Sequence, residues 1–187
     1  MKVFSALALL AVALNLNAAI ITDGSTDALP SVTGDDFGYV GPVLLGREVS
    51  VTGVYDVTFT AVYQESDFRN YFVTVAGTLF DDINIGDSYT VTTPAGLDFA
   101  FGSVGHPGTA VNGFNQAGYE ANGPSFAVNW IDADSLFIGY NDSYTGDHDY
   151  DDMVVRADFV AVPEPMPAML LGIGLMGIGA ARRMRRA

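Results

Sequence analysis

Residues 49–63 read VSVTGVYDVTFTAVY, and this stretch decides the fold. On either side of Gly53, apolar side chains fall on every second position, and the positions between them are mostly Ser, Thr or Asp. A period of two is the pattern of a strand with one buried face. Gly53 breaks the pattern where a bulge or a turn between two strands would fit. The stretch therefore predicts β-structure that covers a hydrophobic core with one face.

The same alternation recurs downstream, separated by segments that carry Gly, Asp, Asn or Pro. The apolar positions are Tyr71-Val73-Val75, Tyr89-Val91, Leu97-Phe99-Phe101, Phe126-Val128-Trp130, Leu136-Ile138-Tyr140 and Met153-Val155-Ala157-Phe159. Two segments lack the pattern: residues 22–41 predict a loop-rich lead-in, and the glycine-rich residues 102–123 predict a long surface loop. Seven or eight short strands with polar turns predict an all-β fold, an antiparallel β-sandwich or jelly roll.

The N-terminus predicts a secretory signal peptide over residues 1–19. Lys2 supplies the charged start, an apolar run extends to Leu14, and small residues around Ala18 suit cleavage. The apolar run is too short for a lasting membrane span. The sequence therefore predicts an exported domain over residues 20–161.

Residues 20–161 are strongly acidic. They hold three basic side chains, Arg47, Arg69 and Arg156, against 21 Asp and Glu, which gives a net charge of −18. Such a charge repels nucleic acid and attracts cations, so nucleic acid is not expected as a partner. The chain has no cysteine, which excludes disulfides and thiolate metal sites.

Residues 162–187 predict a membrane-sorting tail in three parts. The motif consists of Val162, Pro163, Glu164 and Pro165. Neither a strand nor a helix crosses such a motif easily, because proline fixes φ and lacks an N–H. Residues 166–181 carry no charge and would span roughly 24 Å as a transmembrane helix, less than the roughly 30 Å of the hydrocarbon core. The basic end consists of Arg182, Arg183, Arg185 and Arg186, which the positive-inside rule keeps in the cytoplasm.

This order of a Pro-Glu-Pro motif, a short apolar helix and an arginine cluster resembles the PEP-CTERM sorting signal of Gram-negative, biofilm-forming bacteria. Some classifications label that tail an ice-binding protein C-terminal domain. The resemblance implies that an exosortase-type protease of the inner membrane cuts near residues 163–165 and releases or transfers the body. It implies transient anchoring in the inner membrane, and then a location at the cell surface or in the extracellular matrix. The body shows no regular Thr-rich repeat that would favour an ice-binding activity.

The acidic loop, residues 140–152, carries the densest set of ligating groups. The candidate metal ligands are Asp142, Asp147, Asp149, Asp151 and Asp152. These carboxylates repel one another unless they are protonated, solvated or neutralised by a cation, and such hard oxygen ligands suit Ca²⁺. An EF-hand is excluded, because Asp152 stands where that loop needs glycine and a strand pattern follows. A calcium site and a solvated acidic turn both remain open.

Residues 146–156, GDHDYDDMVVR, are similar to a motif in extracellular bacterial domains of unknown function that are frequently paired with PEP-CTERM tails. In those domains a strand ending in an acidic pair precedes the motif. Here Asn141-Asp142 stands where Glu-Asp is commoner, which changes the number of carboxylates available as ligands.

An enzyme is not predicted, because no nucleophile elbow, zinc motif or phosphate loop is present. The alternative function is a carbohydrate-binding module for exopolysaccharide, with a secreted hydrolase as a third possibility. The aromatic residues that could stack on sugars are Tyr39, Tyr119, Tyr140, Tyr144 and Tyr150. Of these, Tyr144 and Tyr150 in the acidic loop are the better candidates for exposure, whereas Trp130 is expected in the core.

Overall fold

A computed structural model describes residues 20–28, 37–39, 43–66, 68–81, 84–93, 97–105, 108–113, 124–142 and 149–162. These residues form strands and connections, with no helix among them. The strands are β1 (Ile20–Ala28), β2 (Leu44–Val51), β3 (Tyr55–Tyr63), β4 (Asn70–Thr74), β5 (Gly77–Asp81), β6 (Ser88–Thr93), β7 (Phe99–Ser103), β8 (Thr109–Val111), β9 (Ser125–Trp130), β10 (Ser135–Asn141) and β11 (Met153–Ala161). The all-β prediction is confirmed for this part of the chain.

The strands form two antiparallel sheets. The large sheet has the order β1-β2-β9-β10-β11-β3-β6, and the small sheet has the order β5-β4-β7-β8. Several neighbours in the large sheet are far apart in sequence, such as β2 beside β9 and β3 beside β11. β10 and β11 lie at the centre of the large sheet, which fixes the position of the acidic loop that joins them.

The two sheets contribute side chains to one hydrophobic cluster. Aromatic rings from both sheets meet in this cluster. Phe59 of β3 lies 5.0 Å from Phe72 of β4 between ring centroids, and Phe101 of β7 stacks on Tyr140 of β10 at 5.1 Å with an interplanar angle of 7°. Such ring pairs add about 0.5–1.5 kcal/mol each to the free energy gained by burying their area.

The alternation in residues 49–63 produces two strands. Its apolar positions from Val49 to Ala61 are buried, and Gly53, in the connection between β2 and β3, has a φ of 106°. Glycine takes up this positive φ without the steric cost that a side chain would bring. β2 and β3 are not paired with each other, because β9, β10 and β11 lie between them.

The lead-in over residues 22–41 contains a strand, so the prediction of a loop there is wrong for β1. The β1 backbone pairs with β2 from Ile20↔Val51 to Ala28↔Leu44, with two register shifts on the way. Pairing to a strand already fixed in the sheet outweighs the low strand propensity of Asp, Gly and Ser.

The loop over residues 102–123 also contains a strand, since β8 pairs with β7. Residues 114–123 lie outside the described ranges. Asn112, directly after β8, is buried: its Oδ1 accepts from the Val49 N–H at 2.7 Å, and its Nδ2 donates to the Val49 carbonyl at 2.8 Å and to the Leu97 carbonyl. The side chain therefore pairs with the β2 backbone as a neighbouring strand would.

The face of β4 that packs into the core is the opposite of the expected one. Phe72 is buried in the core, whereas Tyr71 and Val73 are only partly buried and Val75, directly after the strand, is 67% exposed. Tyr71 lies across Gly102 of β7, so closely that a Cβ at Gly102 would collide with the ring. Tyr71 is on the outer face because its ring covers Gly102 of the neighbouring strand, which has no side chain of its own there.

The predicted signal peptide, the apolar segment 166–181 and the basic end lie outside the described residues. Within the described ranges, no helix is long and apolar enough to cross a membrane.

Candidate functional site

The acidic loop connects β10, the central strand of the large sheet, to its neighbour β11. β10 and β11 pair from Ser135↔Asp158 to Tyr140↔Met153, so the loop leaves the sheet at the end where that ladder stops. The structure describes Asp142 at its start and residues 149–152 at its end, while Asp147 lies outside the described residues.

Asp149 and Asp151 form an acidic pair with unsatisfied oxygens. Asp151 is only 2% exposed, and its Oδ2 is buried without a hydrogen-bond partner, as is Asp149 Oδ1. The pKa of Asp151 is raised to about 7, chiefly by burial and then by the charge of Asp149, a hydrogen bond between the two carboxyls and the charge of Glu65, while a hydrogen bond from the Phe37 N–H acts in the opposite direction. A buried acceptor with no donor is costly, so a proton shared by the two carboxyls or a cation would stabilise this pair.

Asp142 and Asp152 have hydrogen-bond partners and belong to a second arrangement. Asp142 Oδ2 accepts from the Ser66 hydroxyl at 2.6 Å and from Asn70 Nδ2 at 2.9 Å. The Asp142 N–H donates to Asp152 Oδ2 at 2.8 Å, and the Asp152 carbonyl accepts from Asn70 at 3.2 Å. These bonds link the acidic loop to β4 of the small sheet, which gives Asp142 a structural task that the sequence pattern did not reveal.

Tyr150 stands between the two unsatisfied aspartates in a left-handed conformation, with a φ of 64°. Its ring is fully buried, and its hydroxyl accepts from the Ser125 hydroxyl at 3.1 Å. Its carbonyl accepts from the Tyr39 hydroxyl at 2.5 Å, directly above Gly139 of β10. A Cβ at Gly139 would collide with both groups, so this contact requires glycine there.

Residues 37–39 complete the site from a distant part of the chain. Burial raises the pKa of the Tyr39 phenol well above its usual value, and the charges of Asp151, Asp149 and Asp152 raise it further. Phe37 packs edge-on against Phe137 of β10, with 4.9 Å between ring centroids. The sequence gives no sign of this role, because residues 37–39 show no strand or helix period and nothing local indicates which residues they cover.

The aromatic residues proposed for sugar stacking are largely buried. Tyr140 and Tyr150 are fully buried, so the expectation that Tyr150 is exposed is wrong. Its side chain packs with Val43 and Ala127 instead. Trp130 is partly buried against the core, in line with its expected core position. Tyr119 and Tyr144 lie outside the described residues.

The described residues contain no group of three His, Cys, Asp or Glu side chains arranged to hold a metal ion. Asp149 and Asp151 each keep one buried carboxylate oxygen without a hydrogen-bond donor, and carboxylate oxygens are the kind of ligand that hard cations take. No family model, curated protein or solved structure matches this chain. The likenesses of the tail and of the acidic loop therefore stay predictions from the sequence.

Proposed function

We propose that this protein is an exported protein of the cell surface or extracellular matrix, delivered by its C-terminal tail and stabilised by calcium at the acidic loop. It is a binding or structural protein and not an enzyme. Its two sheets form an antiparallel β-sandwich of the jelly-roll type over residues 20–161. The shared core of the two sheets supports the sandwich, and the tail motif supports the export route.

The observation that carries the calcium proposal is the pair of buried, unpartnered oxygens, Asp149 Oδ1 and Asp151 Oδ2. Calcium accepts six to eight oxygens in flexible geometry, so two loop carboxylates can be completed by further loop groups and water. Asp147, two residues before Asp149, is a further candidate ligand in the sequence. Asp142 and Asp152 would hold both ends of the loop in place, because Asn70 of β4 donates hydrogen bonds to the Asp142 carboxylate and to the Asp152 carbonyl.

Calcium titration of the purified full chain tests this site. The melting temperature is measured in EDTA, in millimolar Ca²⁺ and in millimolar Mg²⁺, and binding heat is measured by calorimetry. We expect Ca²⁺ to raise the melting temperature, because a ligand that binds only the folded state stabilises it. Mg²⁺ should act more weakly, because it demands near-ideal octahedral geometry.

The double variant Asp149→Asn/Asp151→Asn should lose the calcium response. The matched control is Asp98→Asn, which removes an exposed aspartate outside the acidic loop and should leave the response intact. Absence of both heat and a melting shift with the wild-type chain would refute the calcium proposal.

The sorting tail is tested separately in a Gram-negative host that carries an exosortase-type protease. Wild-type chain should be exported and its body recovered without residues 166–187. Replacing Pro163, Glu164 and Pro165 by alanine should leave the full tail attached to the body. A wild-type body that keeps its tail, or stays in the cytoplasm, would contradict this route.

Exopolysaccharide binding is the alternative function. The burial of Tyr140 and Tyr150 removes two of the aromatic side chains proposed for sugar stacking. Tyr119 and Tyr144 of that set lie outside the described ranges. Co-sedimentation with matrix polysaccharides, with and without Ca²⁺, distinguishes the alternative from a purely structural role.

A further inference from the structure

β11, the last strand in the chain, ends at Ala161, directly before the predicted sorting motif. The ladder between β11 and β3 continues to Ala161↔Tyr55, and the Val162 N–H then donates to the Val54 carbonyl at 2.9 Å. Pro163 has no N–H to continue the ladder. The hydrogen-bonded body therefore includes Val162, the first residue of the motif.

β11 cannot easily leave the sheet. It lies between β10 and β3, and its core-facing side chains Val155, Ala157 and Phe159 are buried. The Phe159 N–H also donates to the Asp134 carbonyl at 2.8 Å, beyond the last paired residue of β10. Releasing the end of β11 would expose Phe159 and break backbone hydrogen bonds, which costs free energy.

A protease needs free backbone on the upstream side of the bond it cuts. Extended peptides are commonly bound through main-chain hydrogen bonds, in the same way that a strand joins a sheet edge. The Val162 N–H is bonded to the Val54 carbonyl, and Ala161 is paired with Tyr55 in the ladder between β11 and β3. This stretch of backbone therefore becomes fully available to a protease only by local unfolding.

We propose, as a step that rests on the proposed sorting route, that the folded body sets the upstream limit of tail removal: the cut bond lies on the C-terminal side of Val162. In a release by hydrolysis, water adds its hydroxyl to the carbonyl carbon, the C–N bond breaks, and the new amine of the tail takes the proton. The released body keeps β11 complete, and with it both ends of the acidic loop.

The first test uses the full chain in a host with an exosortase-type protease. The intact mass of the released body gives its last residue. We expect that residue to be Val162 or a later one. A body that ends at Ala161 or earlier would overturn the proposal. If no body is released, the sorting route itself fails, and the second test decides whether the upstream limit exists.

The second test needs no exosortase. Full chain purified in detergent is digested with the broad-specificity protease proteinase K, and the C-terminus of the shortest stable fragment is determined by mass spectrometry. We expect trimming to stop at Val162 or after it in buffer, and to continue into β11 in concentrated urea. Trimming into β11 in buffer, at the same rate as in urea, would overturn the proposal independently of any sorting.

Discussion

Asp151 and Asp149 each hold one buried oxygen that lacks a hydrogen-bond donor. In the absence of calcium, the simplest way to satisfy both is a proton between them. Burial and the charge of Asp149 raise the pKa of Asp151 to about 7. The unfolded chain would hold this carboxyl near its ordinary pKa of about 3.9.

We therefore expect calcium-free protein to lose stability as pH rises from about 4 to about 7. Over this range the folded state keeps a proton that the unfolded state has already released, so ionisation favours unfolding. The stabilisation from the Asp151 proton is fully present below the pKa that this carboxyl has in the unfolded chain. It is lost as pH rises through the pKa of Asp151 in the folded state. Urea unfolding in EDTA at several pH values measures it.

Asp151→Asn is the matched variant for this experiment. The amide cannot ionise, so the fall in stability between about pH 4 and 7 should flatten, and at pH 8 in EDTA the variant should match or exceed the wild type. Equal pH profiles for both proteins would show that Asp151 does not keep its proton in the folded state.

Gly139 is the second residue on which the site depends. Its missing Cβ leaves room for the Tyr39 hydroxyl and the Tyr150 carbonyl, which meet in a hydrogen bond. Gly139→Ala should lower the free energy of unfolding by about 2 kcal/mol or more, because overpacking forces both groups to move.

Adding Tyr39→Phe to Gly139→Ala should recover part of this loss, because one of the two colliding groups is removed. Thermal or urea unfolding of the single and double variants measures the coupling. Additive effects of the two changes would contradict a direct contact over Gly139.

Between the strands, the side chain of Asn112, directly after β8, is hydrogen-bonded to the backbone of β2. Asn112 satisfies the N–H and carbonyl of Val49, and its own amide is buried. Asn112→Ala should cost about 3 kcal/mol, because it leaves buried backbone groups without partners. Urea unfolding measures the change, and Asn84→Ala, at an exposed asparagine, should stay within about 0.5 kcal/mol of the wild type. A similar small effect at Asn112 would mean that water replaces the side chain there.

For the whole molecule, the order of strands in the large sheet sets the folding kinetics. β2 must find β9, and β3 must find β11, across most of the domain. Contacts between residues so far apart in sequence slow folding, because the loop entropy is lost before the contacts form. We expect refolding of the calcium-free chain in milliseconds to seconds, followed by stopped-flow fluorescence of Trp130, the single tryptophan. Refolding within microseconds would contradict this topology.

Local pattern was enough to predict β2, β3, β4, β6, β7, β9, β10 and β11 in outline, the turn at Gly53 and the acidic loop before β11. It did not predict β5 or β8. A strand's period of two is a property of neighbouring residues, so alternation at Leu136-Ile138-Tyr140 or Met153-Val155-Ala157 predicts burial directly. The crowding of aspartates between residues 142 and 152 is likewise visible in the chain itself.

Tertiary structure alone decided which strands are neighbours, that β1 forms, and which face of β4 is buried. It also divided the aspartates of the loop into the unsatisfied pair Asp149 and Asp151 and the hydrogen-bonded Asp142 and Asp152, and it buried Tyr150 beneath Tyr39. These features depend on pairing and packing between residues that are distant in sequence. Local periodicity does not predict such contacts, because the free energy that they contribute is gained only when the sheets assemble.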